Sequence, residues 1–266
     1  MFSLTDTHCH LYLPQFDNDR DDVIKQAIDS GISRILIPGI DIRTSEQAIN
    51  LCALYPKTLF AAIGIHPNSK NDFDENSIIQ LKSLVKSDHV VAIGEIGLDY
   101  YRVGNSIENQ KRMFQSQLEL ASELGLPVCI HNRNASQDVI EIIENWIGIP
   151  QGKNHTSIQS GVFHSYDGSL ETANKIIKLG FYLGITGPVT YPSNHVFREV
   201  IKNVCIDKIL IETDAPYLPP HPFRGQRNSP VYVKYIAKQI SEIYQKDIES
   251  VEKITSKNAA TLFKWQ

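Results

Sequence analysis

Eight short apolar runs alternate with longer amphipathic stretches along the whole chain. The apolar runs predict β-strands over residues 3–10, 34–40, 59–65, 90–98, 127–131, 161–164, 181–186 and 209–214. The amphipathic stretches predict helices over residues 20–30, 44–54, 76–86, 107–124, 137–146, 170–179, 195–204, 231–244 and 248–264. Because the strand runs are almost continuously apolar, we expect burial on both faces, as in parallel strands covered by helices.

The alternation of strand and helix predicts an α/β fold with a parallel sheet and right-handed crossovers. Eight such units match a closed (β/α)8 barrel, a fold that typically needs about 250 residues. An open, doubly wound sheet is the alternative, but neither GxGxxG nor GxxxxGK[ST] follows any predicted strand. No linker or low-complexity tract interrupts the chain, so we predict one domain over residues 1–266.

Composition and charge narrow the class of protein. Hydrophobic residues make up 42% and charged residues 21%, as in globular proteins, which argues against disorder, collagen and coiled coil. A net charge of −4 leaves no global basic field to hold a polyanion along its length. The first residues lack the features of a signal peptide, and no apolar run is long enough to span a membrane. The cysteines form no CxxC motif, so we expect them to be reduced and the protein to be cytoplasmic. We also expect a monomer that contacts no membrane.

Histidines and carboxylates stand where the predicted strands end. This set consists of His8 and His10 in the first strand, His66 after the third, Glu95 in the fourth, His131 in the fifth, His164 in the sixth and Asp214 in the eighth. In a (β/α)8 barrel the carboxyl ends of all strands converge on one mouth, where active sites are built. Any one of these residues alone is more typical of a hydrogen-bonded core residue, but we expect the set to form one site at the mouth.

The burial of these side chains favours a metal site. His8 and His10 are two positions apart, so both imidazoles point to the same face of their strand. Glu95 lies in the apolar run VVAIGEIGLD and Asp214 in ILIETD, where an unpaired carboxylate is strongly disfavoured. Four imidazoles and two carboxylates suffice for two ions, with Glu95 able to bridge them. This donor mixture suits Zn, Mn, Fe or Co better than Mg, and we predict two divalent ions whose identity (Mg, Mn or Zn) stays open.

Six motifs, in order along the chain, also resemble those of the TatD family of metal-dependent deoxyribonucleases. They are TDTHCHL at the start, GIHP at 64–67, AIGEIGLDYY at 92–101, PVCIHNR at 127–133, GVFHSYDG at 161–168 and ETDAPYLPPHPFRGQRNSP at 212–230. The resemblance implies a TIM-barrel hydrolase that cleaves phosphodiester bonds in DNA with two metal ions. It maps the family's ligands onto the same six residues and places His66 near the substrate phosphate. One departure is visible, because family members often read GxHPH and this chain has Asn68 at the second histidine.

The two ions would acidify a water molecule and offset the charge of the phosphoryl oxygens. Glu95 and Asp214 are then the predicted catalytic residues, with Asp214 orienting the water and accepting its proton; a role as a ligand alone is the alternative for Asp214. Glu212 alternates with Asp214, so we expect it to face the same interior and brace a ligand histidine.

Substrate contacts are predicted from loop residues. Arg133, Arg224 and Arg227 are candidates for bidentate phosphate binding, with surface ion pairs or loop bracing as the alternative. Tyr100 and Tyr101 follow the fourth strand, where they could stack on a base or cap the barrel core.

These features together predict an exonuclease that acts on DNA ends or single strands. An amidohydrolase-type enzyme for a small ester, lactone or amide is the enzymatic alternative. Many such relatives bridge their metals with a carbamylated lysine on the fourth strand, and this chain has no lysine between Val90 and Tyr101. A metal-binding scaffold without turnover is the alternative of another class, although Asp214 argues against it.

Overall fold

A computed structural model describes residues 4–69, 73–102, 104–148 and 160–265. Its strands are β1 (Leu4–Asp6), β2 (Ile32–Pro38), β3 (Leu59–Ile63), β4 (Val90–Asp99), β5 (Val128–Arg133), β6 (Gly161–Phe163), β7 (Tyr182–Ile185) and β8 (Ile209–Ile211). Every adjacent pair from β1 to β8 is parallel, in sequence order. This arrangement confirms the predicted α/β barrel. Ser3, predicted at the start of the first strand, lies outside the described residues.

The helices between the strands are α1 (Arg20–Asp29), α2 (Ile42–Leu54), α3 (Glu75–Leu84), α4 (Ile107–Leu124), α5 (Ser136–Gly148), α6 (Leu170–Lys178) and α7 (His195–Lys202), and two more follow β8, α8 (Val233–Tyr244) and α9 (Ile248–Phe263). Local sequence sets several of their ends. Asp41 caps α2, because its carboxylate accepts the Thr44 backbone N–H at 2.7 Å while Thr44 Oγ1 accepts the Asp41 N–H. The helix α4 ends at Gly125, which has a φ of 66° that glycine adopts without strain.

The barrel closes where the chain beyond β1 meets the chain beyond β8. Thr7 N–H donates to the Ile211 carbonyl at 3.2 Å and Asp214 N–H donates to the His8 carbonyl at 2.8 Å. A parallel bridge joins Cys9 to Ala215. These bonds replace a regular strand ladder, so β1 and β8 are shorter than the sequence predicts.

Two apolar clusters pack on the two faces of the sheet. The larger lies between the strands and the surrounding helices, and the smaller takes one or two side chains from each of β2 to β8. Phe263, the last residue of α9, and Trp265 just beyond it belong to this smaller cluster, in which the Trp265 ring packs against those of Phe60 and Phe263. One end of the barrel interior is therefore filled by apolar side chains, and the polar residues gather at the other. No helix in the described ranges is long and apolar enough to cross a membrane.

Candidate metal centre

The site is built where the barrel closes. His8 is fully buried, His10 is 5% exposed, and their Nε2 atoms lie 3.1 Å apart. Asp214 Oδ1 lies 3.5 Å from His10 Nε2 and 3.9 Å from His8 Nε2. Asp214 has a φ of 56°, in the left-handed region that Asp tolerates better than most residues, and this turn takes its carboxylate out of the sheet and toward the two imidazoles.

Glu95 separates two groups of imidazoles. Its Oε2 atom lies 3.5 Å from His8 Nε2 and 3.7 Å from His10 Nε2. Its Oε1 atom lies 2.8 Å from His131 Nδ1 and 3.6 Å from His66 Nε2. Each oxygen thus faces a different pair of histidines.

His164 completes the set from the end of β6. Its ring stacks on that of His8 with centroids 3.4 Å apart, and its Nε2 lies 3.7 Å from Asp214 Oδ1. All six predicted ligands therefore meet at one end of the barrel, with His66 beside them. Three groups of three residues have donor atoms within 4.8 Å of one another: His8, His164 and Asp214; His8, His10 and Glu95; and His66, Glu95 and His131.

Several side chains hold the imidazoles from behind. Glu212 is fully buried, and its Oε1 lies 2.7 Å from His164 Nδ1 and accepts the Ser165 backbone N–H at 2.7 Å. The expectation that Glu212 braces a ligand histidine agrees with this geometry. Asp99 plays the same part for His131, because its Oδ2 lies 3.1 Å from His131 Nε2.

Two further contacts fix the remaining imidazoles. Tyr12 Oη lies 3.0 Å from His10 Nδ1. The backbone N–H of Asn68 donates to His66 Nδ1 at 3.0 Å, so the proton of neutral His66 sits on Nε2. A nitrogen that carries its proton cannot ligate a metal, which distinguishes His66 from the six predicted ligands. The partners Asp99 and Tyr12 were missed by sequence reasoning, although Asp99 follows the predicted ligand Glu95 by four positions and Tyr12 follows the predicted ligand His10 by two.

The buried carboxylates of the site are stabilised by positive charge nearby. Burial lowers the pKa of His164, but Glu212 and Asp214 outweigh it and raise that pKa to about 10. Burial also raises the pKa of Glu95, yet His66 and its other imidazole neighbours hold it well below its ordinary range. These buried carboxylates need a cation, and the imidazole nitrogens and carboxylate oxygens around them are the donors that borderline divalent metals prefer. The residues present therefore fit a metal centre.

The mouth of the barrel is a cavity of about 870 Å³ lined by the site, and by Arg102 and Arg133 at its edge. The other two predicted phosphate contacts lie elsewhere among the described residues. Arg224 lies over the ring of Tyr191 at 4.5 Å. Arg227 donates to both carboxylate oxygens of Asp19, at 2.8 and 2.6 Å. Neither lines the cavity, so their roles in phosphate binding stay predictions.

The chain is similar in sequence and in fold to known enzymes. A model of the family described as "TatD related DNase" matches residues 5–264. The uncharacterized metal-dependent hydrolase YabD of Bacillus subtilis (strain 168) is 40% identical over 98% of this chain and 99% of its own length. The 3'-5' ssDNA/RNA exonuclease TatD of Salmonella typhimurium is 33% identical over 97% of this chain and 98% of its own. The crystal structure of YjjV, a TatD homolog from Escherichia coli K12, superposes with a TM-score of 0.89 at 29% identity, covering 98% of both chains.

Proposed function

We propose a function from one premise: this chain belongs to the TatD family and is a metal-dependent hydrolase of that type. We propose that it cleaves phosphodiester bonds in DNA as an exonuclease, acting on single strands or ends. Relatives named 3'-5' ssDNA/RNA exonuclease, at 31–33% identity, support this substrate. The observation that carries the proposal is Glu95, whose two oxygens face two separate groups of imidazoles at the floor of an open cavity.

Two divalent ions are the proposed cofactor. The residues that would hold them are His8, His10, Glu95, His131, His164 and Asp214. When bound, the ions make a water molecule more acidic and offset negative charge on phosphoryl oxygens.

The chain's own residues do the remaining work. Asp214 lines the cavity beside the imidazoles, where it can orient the attacking water and accept its proton. His66 presents its Nε2–H to the same cavity as a donor for a phosphate oxygen, since Asn68 occupies its other nitrogen. Arg133, at the end of β5, lines the cavity mouth with a guanidinium that can bind a neighbouring phosphate.

The test is hydrolysis of a short, end-labelled single-stranded DNA by protein stripped of metal and then given Mg, Mn or Zn. We expect restored shortening of the strand, lost in Glu95→Ala and Asp214→Asn. Glu199→Gln, on the exposed side of α7, is the matched control for loss of a carboxylate and should retain activity. Absence of cleavage with every ion, in a protein that binds two ions per chain, would reject DNA as the substrate. The same assay on RNA, small esters and lactones would then identify the substrate class.

A further inference from the structure

The cavity is poor in positive charge for a site that receives nucleic acid. Five carboxylates line it, those of Asp41, Glu95, Asp99, Asp167 and Asp214. Only two arginines stand among the described lining residues, Arg102 and Arg133, and both are exposed at the edge. Even with two divalent ions bound, few cations remain for phosphates away from the bond that is cut. We therefore expect contacts to the bases to supply a large part of the affinity for a strand.

Exposed aromatic side chains near the cavity can supply such contacts: Tyr217 lines the cavity, and Tyr101 contacts Arg133 of the lining. Among the described residues, eight large hydrophobic side chains are exposed, and six of these lie on helices. The other two are tyrosines in loops that follow strands: Tyr101 after β4, 62% exposed, and Tyr217 after β8, 49% exposed. Both loops lie at the carboxyl ends of the strands, the same end as the metal centre.

The two tyrosines follow strands that lie on opposite sides of the barrel. The strand order runs from β1 to β8, so β4 and β8 are four strands apart in an eight-stranded barrel. Strands separated by half the circle face each other across the barrel axis. The ligands lie between the two loops, because Glu95 belongs to β4 and Asp214 follows β8.

Both rings are held on fixed backbone. Tyr101 N–H donates to Asp99 Oδ1 at 3.0 Å, and the guanidinium of Arg133 lies 4.1 Å from the centre of the Tyr101 ring. Tyr217 N–H donates to the Asp214 carbonyl at 2.8 Å, and the Tyr217 carbonyl accepts from Asn228 Nδ2 at 2.6 Å. A tyrosine on ordered backbone offers a large stacking surface at a small cost in conformational entropy.

We propose that Tyr101 and Tyr217 form a nucleobase clamp, in which unpaired bases on either side of the scissile phosphate stack on the two rings. The clamp rests on the proposed function and specifies its substrate as unpaired nucleotides, since a base inside a duplex has both faces covered by its neighbours. It also explains how a cavity rich in carboxylates can bind a nucleic acid strand, because stacking needs no cation.

The test is a comparison of two substrates across a set of variants. One substrate is a single-stranded DNA. The other is the same strand with abasic residues in place of the two terminal nucleotides at each end, so the phosphates and charge are unchanged. The measured quantity is the ratio of kcat/KM for the intact strand to that for the abasic strand. From the usual strength of base–aromatic stacking, we expect a ratio of about 10 or more for the unaltered protein.

Variants of the two tyrosines test whether their rings cause this preference for the intact strand. Tyr101→Leu and Tyr217→Leu should each reduce it several-fold, whereas Tyr101→Phe and Tyr217→Phe, which keep the ring, should preserve it. Leu54→Ala removes an apolar side chain that is 70% exposed at the C-terminal end of α2 and is the control, with an unchanged ratio. Thermal melting of each variant confirms that it is folded.

Three results overturn the clamp, and they are distinguishable from one another. A ratio near 1 for the unaltered protein would show that bases contribute nothing. A ratio of about 10 that both leucine variants retain would place base recognition elsewhere. If neither strand is cleaved with any ion, the proposed function itself fails, and the clamp fails with it.

Discussion

Replacing Glu212, whose carboxylate contacts His164, should lower the binding affinity for one metal ion specifically. Glu212 is fully buried, and its Oε1 is 2.7 Å from His164 Nδ1. A partner of this kind fixes the orientation of a ligand imidazole, and its loss typically lowers metal affinity about 10- to 100-fold, or about 1.4–2.7 kcal/mol. We expect that loss for Glu212→Gln, because the amide cannot replace both the charge and the acceptor geometry.

Gly184 offers a second, independent way to make the same change. A Cβ at this position would lie 2.4 Å from Glu212 Oε1, so Gly184→Ala must displace the carboxylate by about 1 Å to reach van der Waals distance. Gly148→Ala is the matched control, since a Cβ there meets no atom within 4 Å. Titration of metal-free protein with Mn²⁺ or Zn²⁺ in a calorimeter measures the affinity of each ion separately. Unaltered affinity for both ions in Glu212→Gln and Gly184→Ala would refute the role assigned to Glu212.

Three further predictions follow from other parts of the molecule. Arg102 and Arg133 are the two cationic side chains in the described cavity lining, so we expect the affinity for single-stranded DNA to depend only weakly on salt. In a plot of the logarithm of affinity against the logarithm of salt concentration, measured by fluorescence anisotropy, the slope should be no steeper than about −1.4. A slope several times steeper would show a basic surface elsewhere. Asp41→Ala should lower the free energy of unfolding in urea by about 1 kcal/mol through loss of the α2 cap, and an unchanged midpoint would contradict this. Gly97→Ala should cost at least about 2 kcal/mol in the same assay, since Gly97 has a φ of 142° and a Cβ there would lie 2.0 Å from the His131 carbonyl oxygen; wild-type stability would show that β4 and β5 can separate freely.

The order of elements could be predicted from the sequence because it depends on periodicity. Every predicted strand and helix has a counterpart among the described residues, and α4 has the predicted bounds. The largest errors are at β1 and β8, which end at Asp6 and Ile211 instead of continuing to the ligands. At these places the Asp6 carboxylate accepts the Thr213 backbone N–H at 2.9 Å and its hydroxyl at 2.6 Å, so a side chain replaces the ladder. Such a contact between residues 207 positions apart leaves no periodic signal.

The candidate site was predictable only in part, for a similar reason. The six proposed ligands stand at strand ends, a position that the sequence indicates, and the structure brings them together. Asp99 and Tyr12 were not predicted as partners of ligands, since nothing in the local pattern says which buried polar group faces an imidazole. The ion pair of Arg227 with Asp19 joins the loop after β8 to the start of α1, and proximity of that kind appears only in three dimensions.

The seam between the first and last strands has a consequence for the timing of synthesis. Asp214 is made about 200 residues after His8, which at ordinary ribosome speeds is a delay of about 10–40 s. Through that interval the growing polypeptide carries an incomplete set of donors, since neither the carboxylate of Asp214 nor the closed barrel yet exists. A hydrolase assembled across this seam is consequently inactive while it is still attached to the messenger RNA that encodes it. It acquires its activity only when its final strand has left the ribosome.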